Sequence, residues 1–228
     1  MLAGKSLITT LQGPRFVSDL VDEEAVFVYT WDGGKVTVGK IEVVPGTLMI
    51  AQEIILDDDS KLLVSKDTLV QLRSSDQITA DRLSAGDSLL PLYTKFDASG
   101  YLIYQEPGRW HRGAKTTRDS YAWRRVGRMV AEWKLRRRCE PGDVVSYRNN
   151  QRSDCHPDNL KIEKKSPRKP KKKVKFAEPI FTADRFIRRH NHKVLQVRVD
   201  TSREMFSIRG LATANLAVNG IFLSVDTE

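Results

Sequence analysis

Cysteine is nearly absent from this chain, with two in 228 residues. Cys139 and Cys155 make neither a disulfide framework nor a CxxC zinc clamp, so two reduced thiols are expected. Long apolar runs are missing as well. None approaches the roughly 18 residues that a membrane span needs, so no membrane partner is expected. The opening MLAGKSLITT has one Lys, no long apolar core and no small-residue cleavage site. It is not read as a signal peptide, which implies a cytoplasmic protein. A helix of normal length is also missing from residues 1–97. What is there, 40% hydrophobic residues and a mean hydropathy of −0.42, is enough for a soluble globular core in one or two domains.

Positive charge is concentrated rather than scarce. The net charge is +9, but residues 1–97 hold 9 Lys+Arg against 15 Asp+Glu, residues 98–175 hold 22 against 8, and residues 176–228 hold 7 against 6. A basic middle between acidic and near-neutral flanks points to an inserted module with a polyanionic partner.

The flanks read as β-structure. AVFVYTWDGGKVTVGKIEVV places Asp32-Gly33-Gly34 between alternating apolar runs, a hairpin signal. MIAQEIILDDDSKLLVSKDTLVQL reads as a second hairpin turning at Asp57–Ser60. ADRLS suggests a helical turn and SLLPLY a strand. At the far end, KVLQVRV, EMFSIRGL and NGIFLSV read as three strands, with Leu195, Val197, Val199, Phe206, Ile208, Ile221 and Leu223 expected in the core.

The middle is mixed. ASGYLIYQEPGRW reads as a hairpin. In SYAWRRVGRMVAEWKLRRR, Tyr121, Val126, Met129, Val130 and Trp133 recur at helical spacing. That predicts an amphipathic helix stopped by Pro141-Gly142, with Arg124, Arg125, Arg128, Arg136, Arg137 and Arg138 on its other side. DVVSYRN reads as a strand, and HPDNLKI as a helix start. Lys164–Lys175, KKSPRKPKKKVK, contains Pro167 and Pro170 and reads as an extended basic linker. The expected fold class is mainly β. One discontinuous domain (1–97 and 176–228) is interrupted by a small α+β module (98–163) and the linker (164–175).

Leu2-Ala3-Gly4-Lys5-Ser6-Leu7-Ile8 resembles the opening of an intein. Residues 62–91 resemble the stretch in which a T-x-D-H strand leads to an L-x-x-G-D-x-L turn. Residues 191–199 and 206–225 are similar to the closing blocks. These motifs, in order, imply the Hint (hedgehog/intein) β fold. WRRVGRMVAEW, CEPGDVV and VSYRNNQRSDCHPDNL resemble the HNH nuclease module of phage and bacterial inteins, with Pro157-Asp158-Asn159-Leu160 matching its P-E-N-L ending. His190-Asn191-His192 spells the same letters but lies in the closing block. The resemblance implies a bacteriophage or bacterial type.

The chemistry of both families departs from this pattern. Splicing needs a nucleophile at position 1; Met1 stands there, and as a start residue it implies no upstream peptide. Thr68 replaces the assisting His, Ala214 the downstream His, and Ser224-Val225 the terminal His-Asn. In the nuclease pattern, Ser146 and Tyr147 replace the His pair that supplies a general base and a cation ligand, and Gly127-Arg128 replaces a helical His-Arg. The resemblance therefore implies a pseudoenzyme. Asp154, His156 and Asn159 are the weak alternative catalytic set, and with Mg²⁺ they would make an atypical free-standing homing endonuclease.

The binding surface is enriched. Arg109, Trp110, Arg112, Lys115 and Arg118 precede the helix, and Arg124, Arg125, Arg128, Arg136, Arg137 and Arg138 are expected on it. Tyr147, Arg148 and Arg152 follow. Lys164, Lys165, Arg168, Lys169, Lys171, Lys172, Lys173 and Lys175 form the arm. Such residues contact phosphates without sequence choice. Trp110, His111, Tyr121, Trp123 and Tyr147 offer stacking surfaces, although core packing is the preferred role for Trp123 and Trp133. The expected partner is DNA or structured RNA, ribosomal RNA included. No cofactor is expected unless the alternative metal site holds. A third reading, a partner-protein module using the β surface, makes the basic insert incidental.

Overall fold

The computed structural model describes residues 1–106, 123–164, 192–210 and 215–224. The strands in chain order are β1 (Leu2–Ala3), β2 (Leu7–Thr10), β3 (Gly13–Phe16), β4 (Val26–Trp31), β5 (Val36–Leu56), β6 (Lys61–Ser65), β7 (Leu69–Gln71) and β8 (Gln77–Thr79). They continue with β9 (Thr94–Phe96), β10 (Leu102–Gln105), β11 (Trp123–Arg125), β12 (Asp143–Tyr147), β13 (Leu160–Lys164), β14 (Val194–Arg209), β15 (Asn215–Val218) and β16 (Ile221–Ser224). One α-helix is found among the described residues, α1 (Val126–Leu135). The chain divides into two compact units: residues 1–10, 14–92 and 187–228 form the first, and 11–13 with 93–186 the second. No helix among the described residues is long and apolar enough to cross a membrane.

The first unit is a mainly antiparallel sheet ordered β14-β1-β6-β5-β4-β2-β15-β16-β7-β8. Its hairpins form where turn chemistry permits. Asp32 Oδ1 accepts from the N–H groups of Gly34 and Lys35 and closes the β4–β5 turn. Asn219-Gly220, both at positive φ, closes the two-residue β15–β16 hairpin, as Asn-Gly favours. The Asn219 side chain accepts from Leu7 N–H at 2.6 Å and donates to Lys61 C=O. Apolar residues from nearly every strand, among them Leu2, Ile8, Val28, Ile54, Leu62, Phe206 and Leu223, form the core.

Three local expectations change. KVLQVRV and EMFSIRGL are not two strands: β14 runs unbroken from Val194 to Arg209 and pairs along β5. β5 itself continues through Pro45-Gly46, because a Cβ at Gly46 would lie 2.4 Å from Met205 C=O, so only glycine fits there. Second, bulges after Val194 and Val199 shift the alternation. Val194 is therefore the buried residue, while Leu195 and Val199 are 53% and 67% exposed, not in the core. Third, SLLPLY forms isolated bridges at Ser88, Leu89 and Pro91 rather than a strand.

In the second unit β9, β10 and β11 form one small sheet, and β12 pairs with β13. The helix is shorter than its apolar spacing predicts. Trp123–Arg125 pairs with β10 instead of opening the helix. Arg136, at φ 54, caps its end by donating to Trp133 C=O. Of the six arginines expected on the helix, Arg128 alone lies there; the others flank it. Pro157–Asn159 is a single 3₁₀ turn leading into β13, not a helix start.

Replacing Asn219 with Ala leaves the Leu7 N–H and the Lys61 C=O without their partner and forces alanine into positive φ. The expected loss is roughly 2–4 kcal/mol of stability, read from urea unfolding. Asn219→Gly keeps the turn and should lose less.

Candidate functional site

Two places take the residues singled out above. The first lies at the chain's start. Met1 N is 3.2 Å from Ser65 Oγ and 3.4 Å from Thr68 Oγ1. Thr68 Oγ1 also reaches Met1 C=O at 3.2 Å, and Ser65 N–H donates to that same oxygen at 3.1 Å. The two hydroxyls are 2.9 Å apart. Leu69, next to Thr68, pairs with Ser224, so the end of β16 comes to the same edge. The structure thus assembles Met1, Ser65 and Thr68 around one peptide group. A thioether and hydroxyls stand there, without an imidazole among the described residues. Ala214 and Val225 lie outside the described residues.

The second place is around α1 and the β12–β13 loop. Tyr147, expected as a stacking surface, is 8% exposed. Its hydroxyl shares a hydrogen bond with the Cys155 thiol, and Gly127 N–H points at the same sulfur. Burial pushes the Tyr147 phenol well above its ordinary range and the Cys155 thiol up to about 12. Both are therefore neutral packing groups at neutral pH. A Cβ on Gly127 would meet Tyr147 Oη at 2.2 Å. The departures at 127 and 147 are consequently one packing solution: the larger residue fills the room the smaller one leaves.

The alternative catalytic set comes together but is occupied with its own loop. Asp154 accepts from Asn149 Nδ2 at 2.7 Å and from His156 N–H at 3.1 Å. Asn159 is buried; its side chain donates to Asp154 C=O at 2.8 Å and accepts from Asn149 N–H at 3.0 Å. His156 Nδ1 accepts from Asp158 N–H at 3.3 Å. Among the described residues, Asp154 and His156 belong to no group of three or more ligand side chains.

Many of the predicted phosphate contacts are engaged internally. Arg124 pairs with Glu106 at 2.9 Å and Arg128 with Glu132 at 3.5 Å. Arg125 and Arg152 both cover the Tyr101 ring. Arg137 and Lys164 clasp Asp143 at 2.8 and 3.1 Å. Arg136 (over the Trp133 ring), Arg138 and Arg148 are exposed and make no ion pair with a described residue. Trp123, with Lys95 over its ring, and Trp133 are half-buried. Arg109, Trp110, His111, Arg112, Lys115, Arg118 and Tyr121 lie outside the described residues. So do Lys165, Arg168, Lys169, Lys171, Lys172, Lys173 and Lys175.

Sequence spacing did not reveal the Asp143 clasp. Arg137 above all, then the Glu140 N–H and Lys164, hold its carboxyl well below the usual range. A carboxyl depressed in the folded state contributes stability above its unfolded pKa of about 3.9, and that contribution is lost as pH falls. The second unit should unfold at lower urea below about pH 4, and Asp143→Asn should flatten that dependence. Gly127→Ala should cost about 1–3 kcal/mol by overpacking. Adding Tyr147→Phe should recover part of the loss, as urea titration of the double variant would show.

No protein-family model matches the sequence, and no curated protein matches it significantly. Solved structures do. A mutant of an Ssp DnaB mini-intein variant superposes with a TM-score of 0.51 at 9% identity, covering 99% of this chain and 98% of that one. A DnaB intein from Synechocystis sp. gives 0.50 at 10% identity, covering 99% and 97%. At such identities the likeness concerns fold: the mainly β chain has the intein-type Hint fold.

Proposed function

We propose that the chain is a non-catalytic nucleic-acid-binding protein on an intein-type scaffold, derived from an HNH homing endonuclease whose splicing and cleavage chemistries are both gone. The observation that carries this reading is the separation of charge from chemistry. Positive charge is concentrated in residues 98–175, and Arg136, Arg138 and Arg148 are exposed without a carboxylate among the described residues. Meanwhile the positions that the resemblance assigns to imidazoles hold an interlocked Tyr147 and Gly127. A phenol kept neutral by burial neither takes a proton from water at neutral pH nor binds a cation. At the other place, Met1 offers no thiol or hydroxyl to attack a peptide carbonyl, and Thr68 offers no imidazole to assist.

Binding of this kind rests on phosphates, so it falls steeply with salt and reads shape more than sequence. DNA and structured RNA, ribosomal RNA included, both present that charge. The exposed arginines and the lysine-rich run at 164–175 are the proposed contacts; Tyr147 is not, because it is buried.

Fluorescence anisotropy across a salt series, with a nicking assay on the same sample in Mg²⁺ or Mn²⁺, tests the reading. The expected outcome is salt-sensitive binding with no cleavage. The triple variant Arg136→Ala, Arg138→Ala, Arg148→Ala should bind at least about tenfold more weakly, with a log–log salt slope smaller by about 3. Cation-dependent nicking abolished by His156→Ala would overturn the proposal in favour of the atypical nuclease. Salt-insensitive binding would favour a protein-partner module.

A further inference from the structure

Away from both places, three ligand-bearing side chains meet beside the turn between β5 and β6. Asp57 and Asp58 lie in that turn, and His192 precedes β14. One donor atom of each lies within 4.8 Å of the others. The backbone brings them together: Asp57 N–H donates to Lys193 C=O at 2.9 Å, and Leu89 N–H donates to His192 C=O at 3.1 Å. The His192 side chain is 2% exposed and that of Asp58 11%. Ser60 holds Asp58 Oδ1 through its N–H and its hydroxyl. The other oxygen, Oδ2, is 3.8 Å from His192 Nδ1. That distance is too long for a direct hydrogen bond. It suits two ligands that share one cation at about 2.0–2.2 Å each.

We propose that Asp57, Asp58 and His192 form a divalent-cation site suited to Zn²⁺. Two carboxylates held close repel each other, and a cation between them removes that cost. An imidazole among the donors favours Zn²⁺ over Mg²⁺ or Ca²⁺, which prefer all-oxygen sets. The ion would tie the start of β14 to the β5–β6 turn, fastening the closing strand where the chain re-enters the first unit. The site is a structural staple, independent of nucleic-acid binding. The competing arrangement is a protonated His192 paired with Asp58 and no metal.

The test uses the full chain, stripped with a chelator and titrated with ZnCl₂ by calorimetry and by thermal unfolding. One Zn²⁺ per chain is expected, with Tm rising by about 5–10 °C at a hundredfold excess over Kd. Asp57→Asn and Asp58→Asn should each weaken binding at least about tenfold, because a neutral amide replaces a charged ligand. Circular dichroism reports whether these variants keep the fold, and both sit in a turn rather than in the core. His156→Gln should bind as the parent does, which separates this site from the histidine in the second unit. Unchanged Zn²⁺ affinity in both folded Asp variants would overturn the site. So would a parent chain whose Tm Zn²⁺ does not move, leaving the His192–Asp58 ion pair as the arrangement.

Discussion

The antiparallel pairing of β5 with β14 is the contact on which the rest depends. It joins residues 42–56 to residues 194–209, segments separated in sequence by residues 93–186 of the second unit. Closing such a span costs chain entropy before any contact repays it, so the pairing has to be long. It is: the register runs from Val194 opposite Leu56 to Arg209 opposite Glu42, with bulges that redirect side chains rather than break the ladder. β1 then pairs with both β14 and β6, and that pairing sets Met1 beside Ser65 and Thr68. The scaffold's first residue is thus placed by its last long strand.

On that scaffold the two candidate places have different physical characters. Beside Met1, small hydroxyls satisfy the peptide group through hydrogen bonds. Around α1 the relation is steric, Gly127 and Tyr147 being two halves of one packed contact. Charge is treated differently. Asp143, Glu106 and Glu132 absorb part of the arginine excess to hold the second unit together, while Arg136, Arg138 and Arg148 stay exposed.

How much of this the sequence discloses follows from how local each signal is. The Asp32-Gly33-Gly34 turn is written in adjacent residues and forms as read, whereas Asn219-Gly220, read as the start of the strand NGIFLSV, is the turn before it. The intein-like order of motifs likewise led to the fold that solved inteins share. The unbroken β5 is not legible in the sequence: Pro45-Gly46 lies inside it, and only the approach of Met205's carbonyl explains why glycine sits within a strand. Alternation places Leu195 and Val199 in the core, and bulges without a sequence signature turn them outward. The amphipathic spacing around α1 was real but overextended, since Trp123–Arg125 found a strand partner. His192 read as a coincidence of letters, and its proximity to Asp57 and Asp58 arises wholly from tertiary pairing.

The central claim is that the exposed basic residues of the second unit hold nucleic acid. Ultraviolet cross-linking of the purified chain to its co-purifying nucleic acid, with adducts mapped by mass spectrometry, tests it most directly. The account predicts adducts on peptides spanning 136–148 and 164–175, with the bound nucleic acid uncut. Adducts confined to residues 1–92, or a chain that carries no nucleic acid at low salt, would contradict it.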